Sequence, residues 1–277
     1  MKRVLVPIDF SECSEYAAKV AASIVRKNNG KLFLLHVLNL PQYQDEKVKS
    51  IEDIPEVQPA LMQIRAKFAE FVKKPFLRGI NIAEVLLFEN VYDTVTEFSR
   101  ENDINLVVMG SHGSAGIREF FIGSNTQKIV RMSDAPVLAV KNDIKRFDLK
   151  KVVFATDFSS NSFHAFERIE MLFNLYKSKI YFLKVNTKEN FETSNITKSK
   201  AEPFLKDIRF KDSELVVINH TSIAAGIIEF ADELKPDIIA MATEGRNTLY
   251  QIFNESIAEK IVNHSSFPIL SVKIDND

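Results

Sequence analysis

Short apolar runs alternate with longer amphipathic segments along the chain. In the first half, the apolar runs predict strands at residues 3–8, 32–38, 82–88, 105–109 and 136–140. The segments between them have helical spacing and predict helices at 12–29, 55–74, 91–102 and 124–133. Because the strands are apolar on both faces and alternate with helices, they indicate an α/β fold with a parallel sheet between two helical layers.

The ends of the first predicted helix carry specific capping signals. Ser11 directly precedes the first helical residue, where its hydroxyl can cap the N-terminus of the helix. Asn29 and Gly30 follow the last helical residues, and this pair is expected to end the helix in a left-handed cap. These local signals agree with the helix that the apolar periodicity predicts.

The second half of the chain repeats the first. VLVPIDFSE (4–12) returns as VVFATDFSS (152–160), and LFLLHVLN (32–39) returns as IYFLKVNT (180–187), both at an offset of 148 residues. LVVMGSHG (106–113) returns as IIAMATEG (238–245), and APVLAVK (135–141) as FPILSVK (267–273), now at an offset of 132. The second copy is therefore 16 residues shorter, and the loss falls between its second strand and its third helix. Four ordered matches indicate an internal duplication.

A polar segment, NDIKRFDLK (142–150), lies between the last strand of the first copy and the first strand of the second. We expect the domain boundary there, with one domain at 1–143 and a second at 149–277. A chain of 277 residues is long enough for two domains, each with its own core.

Charge and composition narrow the classes of function. A net charge of −1 provides no overall positive field, so nucleic acids and anionic membranes are not expected partners. No apolar stretch approaches the roughly 18 residues of a membrane span, and no signal peptide is evident, which predicts a cytoplasmic protein. Cys13 is the single cysteine and can form neither an intramolecular disulfide nor a paired-cysteine metal site.

A glycine-rich loop follows the fourth strand of the first copy, with glycines at 110, 113, 116 and 123 before a helix that begins near Ser124. Open parallel sheets bind ligands beyond the carboxyl ends of their strands, at the point where the strand order reverses. Asp9 and Gly110, which end strands one and four, are expected to face that crevice. Glycines let backbone N–H groups approach a phosphate, and a helix N-terminus attracts an anion. The loop therefore predicts a phosphate site, to which Ser124 and Asn125 could add hydrogen bonds.

These residues resemble the nucleotide-binding signature of the universal stress proteins. Gly110, two residues, Gly113, nine residues and Gly123-Ser124 follow that family's pattern, and PIDFSE, the HV pair at 36–37 and APVLAV are also similar. The resemblance covers essentially the whole chain as a tandem pair. It implies two open five-stranded parallel sheets in the order 3-2-1-4-5, of the adenine nucleotide alpha-hydrolase-like type. It also implies that the last strands pair within the chain to form a pseudo-dimer, and two such chains could form a further homodimer.

The resemblance implies that the first copy binds ATP, ADP or AMP. A magnesium or manganese ion could arrive with the nucleotide. The resemblance and the residues together predict a site that consists of Pro7, Ile8, Asp9, the backbone of Val37, Met109, Gly110, His112, Gly113, Arg118, Gly123, Ser124 and Asn125. Two roles stay open: Asp9 could bind a ribose hydroxyl or cap the first helix, and Arg118 could reach the phosphates or remain in solvent. Of the two histidines near the site, His112 is the better phosphate candidate, and His36 is expected to pack structurally.

The second copy departs from this pattern. Asp157, Gly245 and Ser256 keep the matching chemistry, but Ala242 replaces Gly110 and Glu255 replaces Gly123. A glutamate about 4 Å from a phosphate would cost roughly 4 kcal/mol at an effective dielectric of about 20. That cost corresponds to roughly a thousandfold in affinity. The second copy is therefore expected to hold a degenerate site that does not bind a triphosphate in the family's way.

The sequence offers binding residues but no evident catalytic ones. No GKS or GKT follows the glycine loop, the loop does not follow the first strand as a Rossmann fingerprint would, and no HExxH run is present. We therefore predict no catalytic residue and no dedicated metal site. The favoured function is a stress-response or signalling protein that holds ATP as a regulatory or structural ligand. A weak ATPase or nucleotide-handling enzyme, and an interaction scaffold without nucleotide, are the alternatives.

Overall fold

The computed structural model describes residues 1–39, 54–88, 90–110, 123–208, 210, 212–244 and 257–274, without the side chains of Met132 and Glu244. The first half contains β1 (Arg3–Pro7), α1 (Glu12–Lys27), β2 (Lys31–Leu38), α2 (Gln58–Phe71), a 3₁₀ turn (Pro75–Leu77), β3 (Asn81–Phe88), α3 (Val91–Glu101), β4 (Leu106–Gly110), α4 (Ser124–Met132) and β5 (Val137–Val140). The predicted elements of this half are confirmed, with ends that differ by a few residues.

The second half repeats the same order of elements. It contains β6 (Lys151–Ala155), α5 (Ser160–Tyr176), β7 (Lys179–Asn186), α6 (Ser194–Asp207), β8 (Ser213–Asn219), α7 (Ile223–Leu234), β9 (Ile238–Glu244), α8 (Ile257–His264) and β10 (Ile269–Ile274). The 16-residue difference between the halves falls in two connections. Nineteen residues separate β2 from α2 but seven separate β7 from α6, and nine residues separate α2 from β3 but five separate α6 from β8. Most of the loss therefore falls in the loop after the second strand of the half.

The ten strands form one continuous sheet in the order β3-β2-β1-β4-β5-β10-β9-β6-β7-β8. Each half has the predicted order 3-2-1-4-5 with parallel neighbours. The two halves meet where β5 and β10 pair antiparallel, with Leu138 opposite Leu270. The predicted pairing of the last strands within the chain is confirmed, and it joins the two predicted sheets into one.

Helices cover both faces of the sheet, as the apolar strands predicted. One buried cluster lies beneath α1, α2, α5 and α6, and a second lies beneath α3, α4, α7 and α8. Both clusters contain residues of both halves, so the apolar layers run across the β5–β10 junction. The outer strands β3 and β8 are the exception to burial on both faces, because each carries exposed polar residues such as Glu84 and Glu214.

The caps of α1 follow the sequence signals. Ser11 accepts a hydrogen bond from the backbone N–H of Ser14 and caps the helix. At the other end, Asn29 is the left-handed residue, with φ 48°. Gly30 is required for a different reason, because a Cβ at this position would lie 2.6 Å from the carbonyl oxygen of Lys2.

Two equivalent lysines lie at the junction of the halves, in different surroundings. Lys141 follows β5, and its Nζ donates to the carbonyl oxygen of Asn263 at 2.8 Å. Lys273, its counterpart in β10, instead pairs with the carboxylate of Asp134 at 2.8 Å. Burial lowers the pKa of Lys141 from 10.5 to about 8.

The Lys141 pKa predicts a pH dependence of stability. Between pH 8 and 10.5 the unfolded chain holds a proton that the folded chain has released, so stability should rise with pH across this window. We expect the free energy of unfolding of the wild type, relative to Lys141→Met, to increase as the pH is raised through the window. Urea unfolding at several pH values measures it, with Lys273→Met as the matched control. A difference that is constant with pH would contradict the assignment.

Candidate functional site

The candidate crevice lies at the carboxyl ends of β1 and β4. These strands are parallel neighbours, with Val4 opposite Leu106 and Leu5 opposite Val107. Pro7 and Gly110 therefore end at the same edge of the sheet. Pro7 is partly buried, and Ile8 and Met109 are buried in the core below the crevice.

Asp9 organises the start of α1. Its Oδ1 accepts hydrogen bonds from the backbone N–H of Ser11 at 3.0 Å and from the Ser11 hydroxyl at 2.5 Å. The Ser11 Oγ in turn accepts from the N–H of Ser14. Phe10, between them, is held in the left-handed region at φ 63°, an uncommon conformation for an aromatic residue. Asp9 thus supports the helix cap through Ser11, and its contact with a ribose remains a prediction.

The backbone of Val37 faces past the end of β1. The N–H of Ile8 donates to the carbonyl oxygen of Leu35 at 2.8 Å, so the polar groups of Leu35 point toward β1. Backbone groups alternate in direction along a strand, and Val37, two residues later, therefore points the same way. Because β1 ends at Pro7, Val37 faces the crevice beyond the end of that strand. This geometry suits the predicted contact with the edge of a flat ring.

His36 packs structurally, as predicted. Its Nδ1 lies 2.7 Å from the carbonyl oxygen of Ile8, and its ring lies 5.0 Å from the ring of Phe10. Burial is the main cause that lowers the pKa of His36, and Lys67 lowers it further, against opposing effects of the Ile8 hydrogen bond and Asp9. His36 is therefore neutral at pH 7, and its side chain anchors the end of β1.

Gly110 meets two helices. A Cβ at this position would lie 2.6 Å from the carbonyl oxygen of Cys13, so the end of β4 touches the first turn of α1. The hydroxyl of Thr126, in the first turn of α4, donates to the carbonyl oxygen of Gly110 at 3.1 Å. The close approach of α1 is a reason for glycine that the sequence alone did not reveal, and it is independent of any phosphate.

The helix α4 begins at Ser124, as predicted, with Gly123 as its N-cap. Glycine has no side chain with which to accept a hydrogen bond from the first turn. Ser124 and Asn125 are exposed at this end of the helix. The other predicted residues of the loop, His112, Gly113 and Arg118, lie outside the described residues.

The second half repeats the arrangement of Asp9, Phe10 and Ser11 after its own first strand. Oδ1 of Asp157 accepts hydrogen bonds from the Ser159 N–H at 3.0 Å, the Ser159 hydroxyl at 2.6 Å and the Ser162 hydroxyl at 2.7 Å. Desolvation acts to raise the pKa of Asp157, but these hydrogen bonds outweigh it and leave the pKa below its ordinary value. Phe158 repeats the left-handed conformation of Phe10, at φ 60°.

A short loop lies at the corresponding edge in the second half. Val185 is the counterpart of Val37, and Nδ2 of Asn190 lies 3.5 Å from its carbonyl oxygen, at the long limit of a hydrogen bond. Oδ1 of Asn190 accepts from the N–H and the hydroxyl of Thr187, which holds the loop in place. The shortened connection between β7 and α6 thus places the side-chain amide of Asn190 at the position that corresponds to the predicted ring contact of Val37.

The crevice of the second half opens into a cavity of about 710 Å³. Asp157 and Ala242 lie in its wall together with Lys184, Glu192 and Thr243. The other predicted residues of the degenerate site, Gly245, Glu255 and Ser256, lie outside the described residues. Lys184 is the counterpart of His36, so a lysine replaces the neutral histidine of the first half.

A model of the universal stress protein family matches residues 1–141 and 148–273. The chain belongs to the universal stress protein family. Its two matched segments correspond to the two halves of the sheet, so the chain is a tandem universal stress protein.

Relatives match either one half or the whole chain. Universal stress protein MJ0577 of Methanocaldococcus jannaschii is 25% identical over 153 residues, which cover 50% of this chain and 94% of the relative. Universal stress protein Slr1230 of Synechocystis is 19% identical over 293 residues, covering 99% of this chain and 100% of the relative. A solved universal stress protein from Archaeoglobus fulgidus superposes with a TM-score of 0.75 at 19% identity, covering 98% of both chains. This last likeness supports the tandem fold.

Three residues of this universal stress protein escaped the sequence reasoning, namely Lys184, Asn190 and Glu192. Their signals were present, because LFLLHVLN aligns with IYFLKVNT and places lysine against His36. The loss of residues after the second strand also indicated a shorter loop. Neither signal says that the loop side chains turn into the crevice, since that depends on the path of the backbone.

Two features of the described residues bear on partners. No helix among them is long and apolar enough to cross a membrane. In the same part of the chain, no group of three or more His, Cys, Asp or Glu side chains is placed to hold a metal ion.

Proposed function

We propose that this universal stress protein binds one adenine nucleotide in its first half, as a regulatory or structural ligand in stress response or signalling. The observation that carries the proposal is the arrangement around Gly110. The glycine signature that begins there leads to α4 at Ser124, and the Thr126–Gly110 hydrogen bond places the start of α4 at the end of β4. Val37 lies at the same end of the sheet.

Three parts of the crevice would each contact a different part of the nucleotide. The backbone of Val37 would meet the edge of the adenine, beside Pro7 and Ile8. Asp9 would contact the ribose, and the glycine loop with the first turn of α4 would hold the phosphates through backbone N–H groups. A magnesium or manganese ion that enters with the nucleotide would rely on phosphate oxygens, because the described residues offer no cluster of metal ligands.

We propose binding without efficient turnover. Asp9 is the acid closest in sequence to the end of β1, and its Oδ1 already accepts two hydrogen bonds from Ser11. These contacts commit Asp9 to the cap of α1. We therefore assign no catalytic residue and expect at most slow hydrolysis. The boundary between the nucleotide-binding and degenerate domains is proposed at 143–149.

The test is the nucleotide content of the purified protein. Freshly purified chain is denatured, and any released nucleotide is identified by chromatography and mass spectrometry and counted per chain. About one adenine nucleotide per chain is the expected result, either as isolated or after incubation with ATP and magnesium. Two equivalents would contradict the degeneracy of the second half, and no binding under either condition would overturn the proposed function.

A further inference from the structure

The cavity of the second half contains a buried cation. The side chain of Lys184 is only 5% exposed, and its ion pair with Oε2 of Glu192 spans 3.7 Å, which is longer than a hydrogen bond. Glu192 is shared, because its Oε1 lies 2.5 Å from Nζ of Lys200. Lys184 and Lys200 therefore share one glutamate, while Arg131, Asp157 and Glu259 also line the cavity.

Two buried polar atoms in the wall of this cavity also lack hydrogen-bond partners. Within the described part of the chain, Oε2 of Glu192 and Oγ1 of Thr243 are buried without a hydrogen-bond partner. Asp157, by contrast, already accepts three hydrogen bonds from its own helix start. Buried polar groups without partners are uncommon in folded proteins and call for a physical explanation.

The remaining wall is largely apolar. The side chains that line it include Leu183, Val185, Ile227, Met241 and Ile257. A volume of about 710 Å³ lies in the range of small-molecule sites, which combine apolar walls with a few polar groups that orient the ligand. The cavity therefore offers an apolar surface for the body of a ligand beside an ammonium group whose ion pair with Glu192 spans 3.7 Å.

We propose that this cavity binds a small organic carboxylate with an apolar body. The carboxylate would accept hydrogen bonds from Lys184 and Thr243 and would be a second anionic partner for two lysines that share Glu192. The apolar part would lie against Met241 and Ile227. Asn190 at the Val185 carbonyl acts against an adenine ring at this edge of the sheet. The second half is thus a separate ligand site and not only a support for the first.

The proposal is tested on the full chain by titration calorimetry at pH 8. The probes are hexanoate and benzoate, each compared with its neutral amide of similar shape. We expect the carboxylates to bind and the amides to bind at least tenfold more weakly. Lys184→Met should weaken carboxylate binding at least tenfold. Lys198→Met removes an exposed lysine from the same helix as Lys200 and should leave binding unchanged.

Lys184→His provides a second variant, because it introduces the residue of the first half and removes the charge at pH 8. It should lose carboxylate binding while thermal unfolding shows a folded protein. Absence of binding by either carboxylate at millimolar concentration would overturn the proposal. So would equal binding by the amides, or carboxylate binding that survives in folded Lys184→Met. These outcomes are separate from the nucleotide count of the first half, which none of these variants touches.

Discussion

A Gly123→Glu variant is expected to bind ATP about a thousandfold more weakly than the wild type. The substitution places in the first half the residue that the second half carries at Glu255. Gly123 caps α4 with φ −57° and ψ 142°, a conformation that glutamate adopts without strain. A carboxylate there also gains about 0.3–1 kcal/mol from the helix dipole. The fold should therefore survive, and the loss should come from repulsion of the phosphates.

Titration calorimetry with ATP and magnesium measures this effect, and Gly123→Gln is the matched control. Glutamine has nearly the same size and no charge, so it isolates the steric contribution from the electrostatic one. We expect Gly123→Gln to retain most of the affinity that Gly123→Glu loses. Equal losses in the two variants would mean that a side chain at this position is excluded by shape. Unchanged affinity in Gly123→Glu would show that the phosphates do not lie at the start of α4.

Most of the architecture could be predicted because each half is a series of strongly patterned βα units. Central strands such as β1, apart from Arg3, and β4 are apolar, and the internal repeat supports each assignment twice. The ends were less certain. The helix predicted at 55–74 begins at Gln58, with proline in its first turn, and gives way to a 3₁₀ turn at Pro75. Such ends depend on local hydrogen bonds that apolar periodicity does not specify.

The candidate site was predictable in position but not in all of its causes. The strand order placed Asp9 and Gly110 at one edge, and this depends on topology alone. That Gly110 touches the backbone of Cys13 depends on how closely α1 crosses the sheet. The turn of Asn190 toward Val185 likewise depends on the path of a seven-residue loop. Contacts between segments distant in sequence, or within irregular loops, leave no periodic signal in the chain.

The two halves fill equivalent space with different side chains. In the first half, α1 places Ala17, Ala18, Ala21 and Ala22 in the core. In the second half, Phe166 stands at the position of Ala18, and it packs against Phe154 and Phe182 at ring distances of 5.1 and 5.2 Å. Phe204 of α6 completes the cluster. The stability of the second half should therefore depend on a few large aromatic side chains.

Phe166→Ala is expected to destabilise the protein by about 3–5 kcal/mol, because it removes a fully buried ring and leaves a cavity among the remaining rings. Urea unfolding followed by circular dichroism measures the loss. Phe191→Ala is the matched control, since Phe191 is 64% exposed and its removal should change stability by no more than about 0.5 kcal/mol. A loss below about 1 kcal/mol in Phe166→Ala would mean that neighbouring rings collapse into the space. The aromatic cluster would then repack around the missing ring, and the stability of the second half would not depend on Phe166.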